Sequence, residues 1–414
     1  MGRRVKRREF TMLIGGAAVA VPLAVHAPQA AKRVSRYVHP HWLKANGKWY
    51  LGVSPSKKSV HPLVSSRHAW LHRIGNAILL PTKLFPCTNT EEPVCRSLRI
   101  TPGNTVQLGA SLSVADIGTG PSVLRDYAQA VEGLGFDYLL VGDHVLGHNS
   151  TGTVEHSSNI GVPIEHARRV GTTATAFHDP FVLFGFLSCC TTKLGFASGI
   201  LILAQRQAAL VAKQAASLDE LCGHRFRLGI GVGWNEIEFQ GLGMDFRNRG
   251  RRSEEQVRFM QALWAAPHTT FHGEFHHLDD AGLTLRPKSG RVPVWFGGHA
   301  EATFYRVARY GDGYMQLDYA PGDQALATFA KLRALIRDAG RKSEEVGLEV
   351  WVSPGEGNED DWRQEITFWK NAGVTHVTAH TTYISKHHRR VTGRTAAEHL
   401  AALTRYRAAV ADLL

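Results

Sequence analysis

The stretch from Lys193 to Glu236, KLGFASGILILAQRQAALVAKQAASLDELCGHRFRLGIGVGWNE, constrains the fold of this chain more than any other. An apolar, β-rich run comes first and a helix of small residues follows. A second strand, expected to be buried, then ends in Gly231-Val232-Gly233-Trp234-Asn235-Glu236. A strand–helix–strand crossover of this kind sets its strands parallel, with their exit loops opening at one end. Both strands finish in small residues, Ser198-Gly199 and Gly231 with Gly233, where a flat ligand can approach the backbone.

The same alternation runs from Thr105 to the end of the chain. Strands are expected over Val106–Leu112, Tyr138–Val141, Leu194–Ile200, Phe226–Ile230, Val294–Phe296, Gly313–Leu317, Leu348–Val352 and Thr375–Ala379. Helices with one apolar face lie between them. The first carries Leu124, Tyr127, Ala128, Val131 and Leu134 at helical spacing. The fourth is expected to start at Ser253-Glu254-Glu255-Gln256, a capping-box pattern. Repeated strand–helix units over this length predict a (β/α)8 TIM barrel with insertion loops, with a doubly wound sheet as the runner-up. Two insertions stand out. Leu146–Phe177 is rich in Gly, Ser, Thr and His, and Thr269–Arg286 reads as a hairpin; both are expected on the face that carries barrel active sites.

Charge is distributed unevenly. Of 414 residues with a formal net charge of +12, the first 104 hold 17 Lys/Arg against Glu9, Glu91 and Glu92, so the rest is net −2. That excludes a nucleic-acid role for the barrel. Residues 1–31 join a basic start, MGRRVKRREF, to the apolar run LIGGAAVAVPLAV, with small residues at Ala27 and Ala30. This resembles a twin-arginine export signal, and its apolar run is too short to span a bilayer. Export is therefore the expected localisation, with a cytoplasmic protein as the alternative. Residues 32–104 form a basic extension with no sustained period, expected to be poorly ordered and of no assignable role. Cys87, Cys95, Cys189, Cys190 and Cys222 show no zinc spacing. The last three fall in expected helices, as small core hydrophobes, while Cys87 and Cys95 are the pair an oxidising compartment would join.

Several groups can carry chemistry. Gly142-Asp143-His144 follows the strand Tyr138–Val141, where a polar pair faces a barrel mouth, and histidine exchanges protons near neutrality. Gly297-Gly298-His299 precedes a helix opening near Glu301, and glycines there expose N–H donors to an anion. Arg206 is a second partner for negative charge. Asn235 either reaches a ligand or caps the next short helix. His376 and His380 share one face of the last strand. The cluster His272-Gly273-Glu274-Phe275-His276-His277 matches no standard metal spacing, so no metal is expected. Lys386-His387-His388-Arg389-Arg390 reads as a solvated basic turn.

The block from Ser198 to Glu236, together with Gly142-Asp143-His144 and Gly297-Gly298-His299, resembles the bacterial-luciferase-like family of oxidoreductases, specifically its branch that uses the deazaflavin coenzyme F420. The resemblance covers roughly residues 105–414. Members that use the deazaflavin carry Asp-His at the place of Asp143-His144, whereas many flavin-mononucleotide members carry Glu-His-His or something unrelated. The resemblance tips the choice to the barrel. It implies His144 and Asp143 as catalytic and cofactor-binding residues, and a strand bulge with a non-prolyl cis peptide at Ser198-Gly199 behind the cofactor ring. It further implies Gly231, Gly233 and Asn235 near the cofactor, and Gly297, Gly298 and His299 at its phosphate-bearing tail. Trp234 and His380 are the substrate-pocket candidates. A relative that oxidises a sugar phosphate has a catalytic Glu where Trp234 stands, so neither that acid–base scheme nor that substrate carries over.

The expected function is hydride transfer between coenzyme F420 and a small organic substrate. One alternative is a two-component flavin mononucleotide (FMN) monooxygenase, fed reduced flavin by a reductase and inserting oxygen into its substrate. The other is an exported barrel that binds a ligand without turnover. A flavin or F420 reductase is the expected protein partner, and the family implies a homodimer. The substrate depends on the side chains of the two long insertions, and their composition names no molecule.

Overall fold

The computed structural model describes the strand backbone within 38–79, and residues 105–149, 171–316, 319–382, 384–385 and 387–414. The twin-arginine-like segment, Cys87 and Cys95, most of the Leu146–Phe177 insertion and Lys386 lie outside the described residues. The chain divides into two compact units, Met1–Glu92 and Pro93–Leu414.

The first unit contains a four-stranded antiparallel sheet. Its strands are β1 (Val38–Ala45), β2 (Lys48–Pro55), β3 (His72–Ile74) and β4 (Ala77–Leu79), in the order β1-β2-β4-β3. Pairing of Ala45 with Lys48 leaves Asn46-Gly47 as the connection, and pairing of Ile74 with Ala77 leaves Gly75-Asn76. Those are dipeptides that two-residue hairpins favour. The stretch 32–104, which shows no period in its sequence, thus contains four strands.

The second unit is a closed barrel. Its eight parallel strands are β5 (Gln107–Ser111), β6 (Tyr138–Val141), β7 (Gly195–Ser198), β9 (Phe226–Gly231), β12 (Val294–Gly297), β13 (Gly313–Gln316), β14 (Gly347–Val352) and β15 (His376–Ala379). They follow one another around the ring in chain order, and β15 returns to β5 through pairs such as His376 with Gln107. This closure removes the doubly wound sheet. The expected strand Leu194–Ile200 divides at a bulge: β7 ends at Ser198, and β8 (Leu201–Ile202) resumes beside β9, Leu201 opposite Ile230. The Gly199–Ile200 peptide between them is cis.

Ten helices are described, led by the short α1 (Val114–Ile117) and α2 (Pro121–Gly133), which buries Leu124, Tyr127, Ala128 and Val131. Next come α3 (Pro180–Ser188), α4 (Ala208–Leu221), α5 (Glu236–Gly241) and α6 (Arg249–Ala265). The last four are α7 (Glu301–Tyr310), α8 (Asp323–Asp338), α9 (Glu359–Asn371) and α10 (Ala396–Val410). Small residues on α4, among them Ala208, Ala212, Ala215 and Ala216, are buried and let it lie close to its neighbours. Trp264 of α6 donates to the Ala212 carbonyl at 2.9 Å. Helix α6 begins four residues before the expected capping box. Ser253 and Gln256 are therefore interior helical positions, and Gln256 donates to the Arg206 carbonyl at 2.8 Å instead.

The second insertion forms a hairpin of β10 (Thr269–His272) and β11 (His277–Ala281). It leaves from the C-terminal end of α6, opposite the barrel mouth, so the expectation that it rises from the active-site face is corrected. Only its tip climbs back, because Glu255 in α6 accepts from the amides of Glu274, Phe275 and His276 at 2.6–2.8 Å and from His276 Nδ1 at 2.9 Å. His272, next to that tip, pairs with Asp279 on the opposite strand. Cysteine burial differs from expectation too: Cys222 is buried, but Cys189 is exposed and Cys190 half-buried at the end of α3.

The barrel interior is polar at the end away from the mouth. Arg227 and Glu349, both 0% exposed, form an ion pair at 2.7 Å. The Arg227 guanidinium lies between the rings of Tyr138 and Trp295, 4.7 and 4.1 Å from their centroids. Gly313 and Gly347 make room for Trp295, since a Cβ at either position would sit 2.2 Å from the indole. Glu349 also accepts from Thr378 Oγ1 at 2.6 Å and Trp351 Nε1 at 3.2 Å, and Thr378 pairs with the Tyr138 hydroxyl at 2.8 Å.

His376 is enclosed in the same layer, its ring 4.7 Å from Trp295 and 5.8 Å from Tyr138. Burial, with the Arg227 charge beside it, holds its pKa well below the ordinary 6.5. His399, whose pKa burial also lowers, sits against Asp116 at 3.1 Å. Below pH 6.5 the unfolded chain takes up protons that folded His376 refuses. This contribution to stability is therefore complete above that pH and is lost as pH falls, by up to about 1.4 kcal/mol per unit for one group. The urea midpoint is expected to drop between about pH 7 and about pH 5, and His376→Gln to flatten part of that drop. An unchanged slope in the variant would refute the assignment.

Candidate active site

The mouth is built from the C-terminal ends of the barrel strands and the loops that follow them. His144, three residues beyond the end of β6, is held by a residue the sequence reading did not select. Its Nδ1 lies 2.9 Å from Oε1 of Glu238, whose side chain is 1% exposed against 13% for His144. Glu238 comes from α5, the short helix that follows β9. The imidazole meets Phe177 edge-on at 5.2 Å and Trp234 at 5.9 Å. On its open side lies a cavity of about 280 Å³, lined by His144, Leu146, Gly147, Thr172, Thr175 and Phe177 among others. The insertion that frames this cavity is clipped at its base, where the His148 amide donates to the Gly171 carbonyl at 2.9 Å and the Thr173 amide to the His148 carbonyl at 3.2 Å.

Asp143 does other work. Both of its carboxylate oxygens accept from Arg206 Nη2, at 2.9 and 3.0 Å, and its side chain is 2% exposed. Arg206 also bonds Asp179 at 3.0 Å, the residue that caps the start of α3. Burial pushes the Asp143 carboxyl above its ordinary range, and the Arg206 charge opposes that. Asp143 thus ties the end of β6 to the α3 and α4 entrances. Arg206 is spent on this tie and is no spare partner for an anion.

The small residues at the strand ends divide between packing and access. Ser198 turns its hydroxyl to the neighbouring strand, donating to the Gly229 carbonyl at 2.8 Å and accepting from its amide at 2.9 Å. The side chain of Ile200, beyond the cis peptide, lies over Gly231 and Gly297, where added Cβ atoms would stand 1.9 and 2.9 Å from it. A Cβ added at Gly199 would likewise stand 2.5 Å from the Leu140 side chain. These glycines therefore seat Ile200 and Leu140, and Ile200 is what closes the barrel beneath the mouth. Gly233 has φ +79° and turns the chain into Trp234. Asn235 starts α5 without a side-chain cap and donates instead to the Leu146 carbonyl at 3.4 Å.

Gly298, with φ +133°, leads into α7; its carbonyl accepts from Tyr314 at 3.1 Å, and His299 is exposed with its ring 5.9 Å from Tyr319. His380 shares the inner face of β15 with His376 but stands at the mouth end, its ring tilted against Trp351 at 4.3 Å. The two histidines are thus not brought together, since His376 lies in the far layer. Ser111, at the end of β5, has a buried hydroxyl with no hydrogen-bond partner among the described residues. The basic run near the C-terminus is solvated only in part: His387 and Arg389 are exposed, but His388 is buried against Glu365 at 3.2 Å and Arg390 reaches Asp116 at 2.6 Å.

The profile of the luciferase-like monooxygenases matches residues 104–412, the whole barrel. The chain belongs to that family. An uncharacterised protein of Mycobacterium tuberculosis is 37% identical over 168 residues, 40% of this chain and 57% of that one. The FMNH2-dependent dimethylsulfone monooxygenase of Pseudomonas fluorescens is 30% identical over 193 residues, 46% of each chain. The chain thus spans about half the length of the curated relatives it matches. Among solved structures, an F420-dependent secondary alcohol dehydrogenase in complex with an F420-acetone adduct superposes with a TM-score of 0.58 at 19% identity, covering 74% of this chain and 99% of that one. At that identity the likeness speaks for the fold. Luciferase-like members with either coenzyme F420 or FMN thus stand beside this chain.

Proposed function

We propose that this luciferase-like oxidoreductase transfers a hydride between coenzyme F420 and a small organic substrate, with His144 exchanging a proton at the reacting centre. The observation that carries the proposal is the His144–Glu238 pair beside the cavity at the mouth. A partly exposed imidazole held by a buried carboxylate is built to move a proton, not to fill space. The residues present fit a flat tricyclic cofactor. The mouth is floored by Ile200, walled by the tilted Trp351–His380 ring pair, and supplied by Ser111 with a buried hydroxyl that has no partner among the described residues. Coenzyme F420, when bound, supplies the two-electron chemistry.

The chain's own residues do the rest. Ile200 supports one face of the ring, Gly199 with Gly231 and Gly233 keeps the strand ends low, and Asn235 holds the Leu146 backbone beside the mouth. Gly297, Gly298 and His299, ahead of α7, are the proposed contacts for the phosphate-bearing tail. Trp234 and His380 border the substrate, and Asp143 positions His144 through the Arg206 tie. We further propose a homodimer, and a reductase partner if the cofactor must be delivered reduced.

A second reading, an FMN-dependent monooxygenase, is favoured by the 30% identity to the FMNH2-dependent sulfone enzyme. Titration of the full chain with coenzyme F420 and, separately, with FMN separates the two. Trp234 at the mouth is the expected fluorescent reporter; Trp295, 1% exposed in the far layer of the barrel, is expected to stay silent. Binding of the deazaflavin alone is the expected result. Preference for FMN would move the chain to the monooxygenases, and binding of neither would point to a barrel without turnover.

A further inference from the structure

We infer that Glu238 is a positioning residue that dictates which nitrogen of His144 carries the proton. This rests on the reading of His144 as the proton-exchanging group and deepens it. An ionised carboxylate only accepts hydrogen bonds, so the 2.9 Å contact requires the hydrogen to sit on Nδ1. Nε2 is then the single ring nitrogen with a lone pair to offer in the neutral state. Free imidazole side chains favour the opposite form, with the hydrogen on Nε2, so the assignment is imposed by the protein.

Three features of the site make the imposition effective. Glu238 is 1% exposed, so water does not compete for its Oε1. The same oxygen is approached by only one other donor among the described residues, the Leu146 amide, at a long 3.4 Å. Phe177 and Trp234 meet the imidazole edge-on at 5.2 and 5.9 Å and restrict its rotation. The consequence for chemistry is directional. His144 enters its cycle as a proton acceptor at Nε2, beside the cavity, and Glu238 stabilises the imidazolium that results, keeping the ring aligned.

The test needs neither cofactor nor substrate, so it stands or falls apart from the F420 assignment. Full-length protein is labelled with 15N-histidine, and long-range 1H–15N correlations are recorded at about pH 9, where imidazoles are neutral. The His144 signals are assigned by their loss in His144→Gln. The wild type is expected to show His144 with Nδ1 protonated and Nε2 bare. Glu238→Gln, whose amide oxygen still accepts, is expected to keep that form, whereas Glu238→Leu is expected to shift the majority to the Nε2-protonated form. A wild-type spectrum with Nε2 protonated would overturn the inference, and so would an unchanged tautomer in folded Glu238→Leu. If the leucine variant does not fold, the wild-type and glutamine spectra still decide.

Discussion

Replacing Arg227 with methionine is expected to destabilise the barrel by about 3–5 kcal/mol, the cost of leaving a buried charge without its partner. Glu349 is 0% exposed, and its other neighbours, Thr378 and Trp351, supply hydrogen bonds but no positive charge. Methionine fills most of the volume of the arginine stem between Tyr138 and Trp295, so a large loss would reflect charge and not a cavity. The control is the double variant Arg227→Met/Glu349→Gln. It removes both charges while keeping an oxygen for Thr378 and Trp351, and it is expected to recover more than half of the loss. Urea unfolding at neutral pH measures all three proteins. A single-variant loss below about 1 kcal/mol would show that water reaches Glu349 and that the pair is not sealed as described.

The largest functional effect is expected at His144. His144→Ala should lower kcat by about 10²- to 10⁴-fold, the range that a positioned proton-transfer group contributes. The fold should survive, because the ring is 13% exposed and lines a cavity instead of filling the core. His144→Gln serves as a companion variant, since its side-chain amide can still reach Glu238 but does not exchange a proton at neutral pH. Both variants are expected to lose turnover and to keep cofactor binding, with steady-state kinetics and the fluorescence titration read side by side. Turnover surviving within a few-fold in either would remove His144 from the chemistry.

Much of the barrel was legible because its signals are local. Runs such as Tyr138–Val141 and Val294–Phe296 are apolar throughout, as suits strands covered on both faces, and the helices between the strands show one apolar stripe. Strand ends and glycine turns marked the mouth for the same reason. The four strands of the first unit, with β1 and β2 of eight residues each, carry no period in their sequence, and only two short dipeptides, Asn46-Gly47 and Gly75-Asn76, mark where they meet. The misplaced start of α6 has a similar origin, since a Ser–Gln pair spaced for a capping box also occurs inside a helix. The hairpin after α6 was assigned to the mouth face from its length alone. Chain order places it at the opposite end.

The residues of the site divide along the same line. The position of His144 at the end of a strand follows from the sequence, because the order of strand, loop and polar pair is a property of neighbours along the chain. What holds His144 does not follow: Glu238 lies 94 positions away, and only the closing of the barrel brings α5 against the loop after β6. Asp143 and Arg206 looked like free charges for a ligand, and tertiary structure spends them on each other. Gly231 and Gly297, expected beside a cofactor, also seat the Ile200 side chain, a packing role that no local pattern announces. The sequence by itself determined the succession of strands and helices, since periodicity and turn chemistry act over a few residues. Only the tertiary structure decided which polar groups remain available for chemistry, because burial and pairing depend on partners that the chain brings together from far apart.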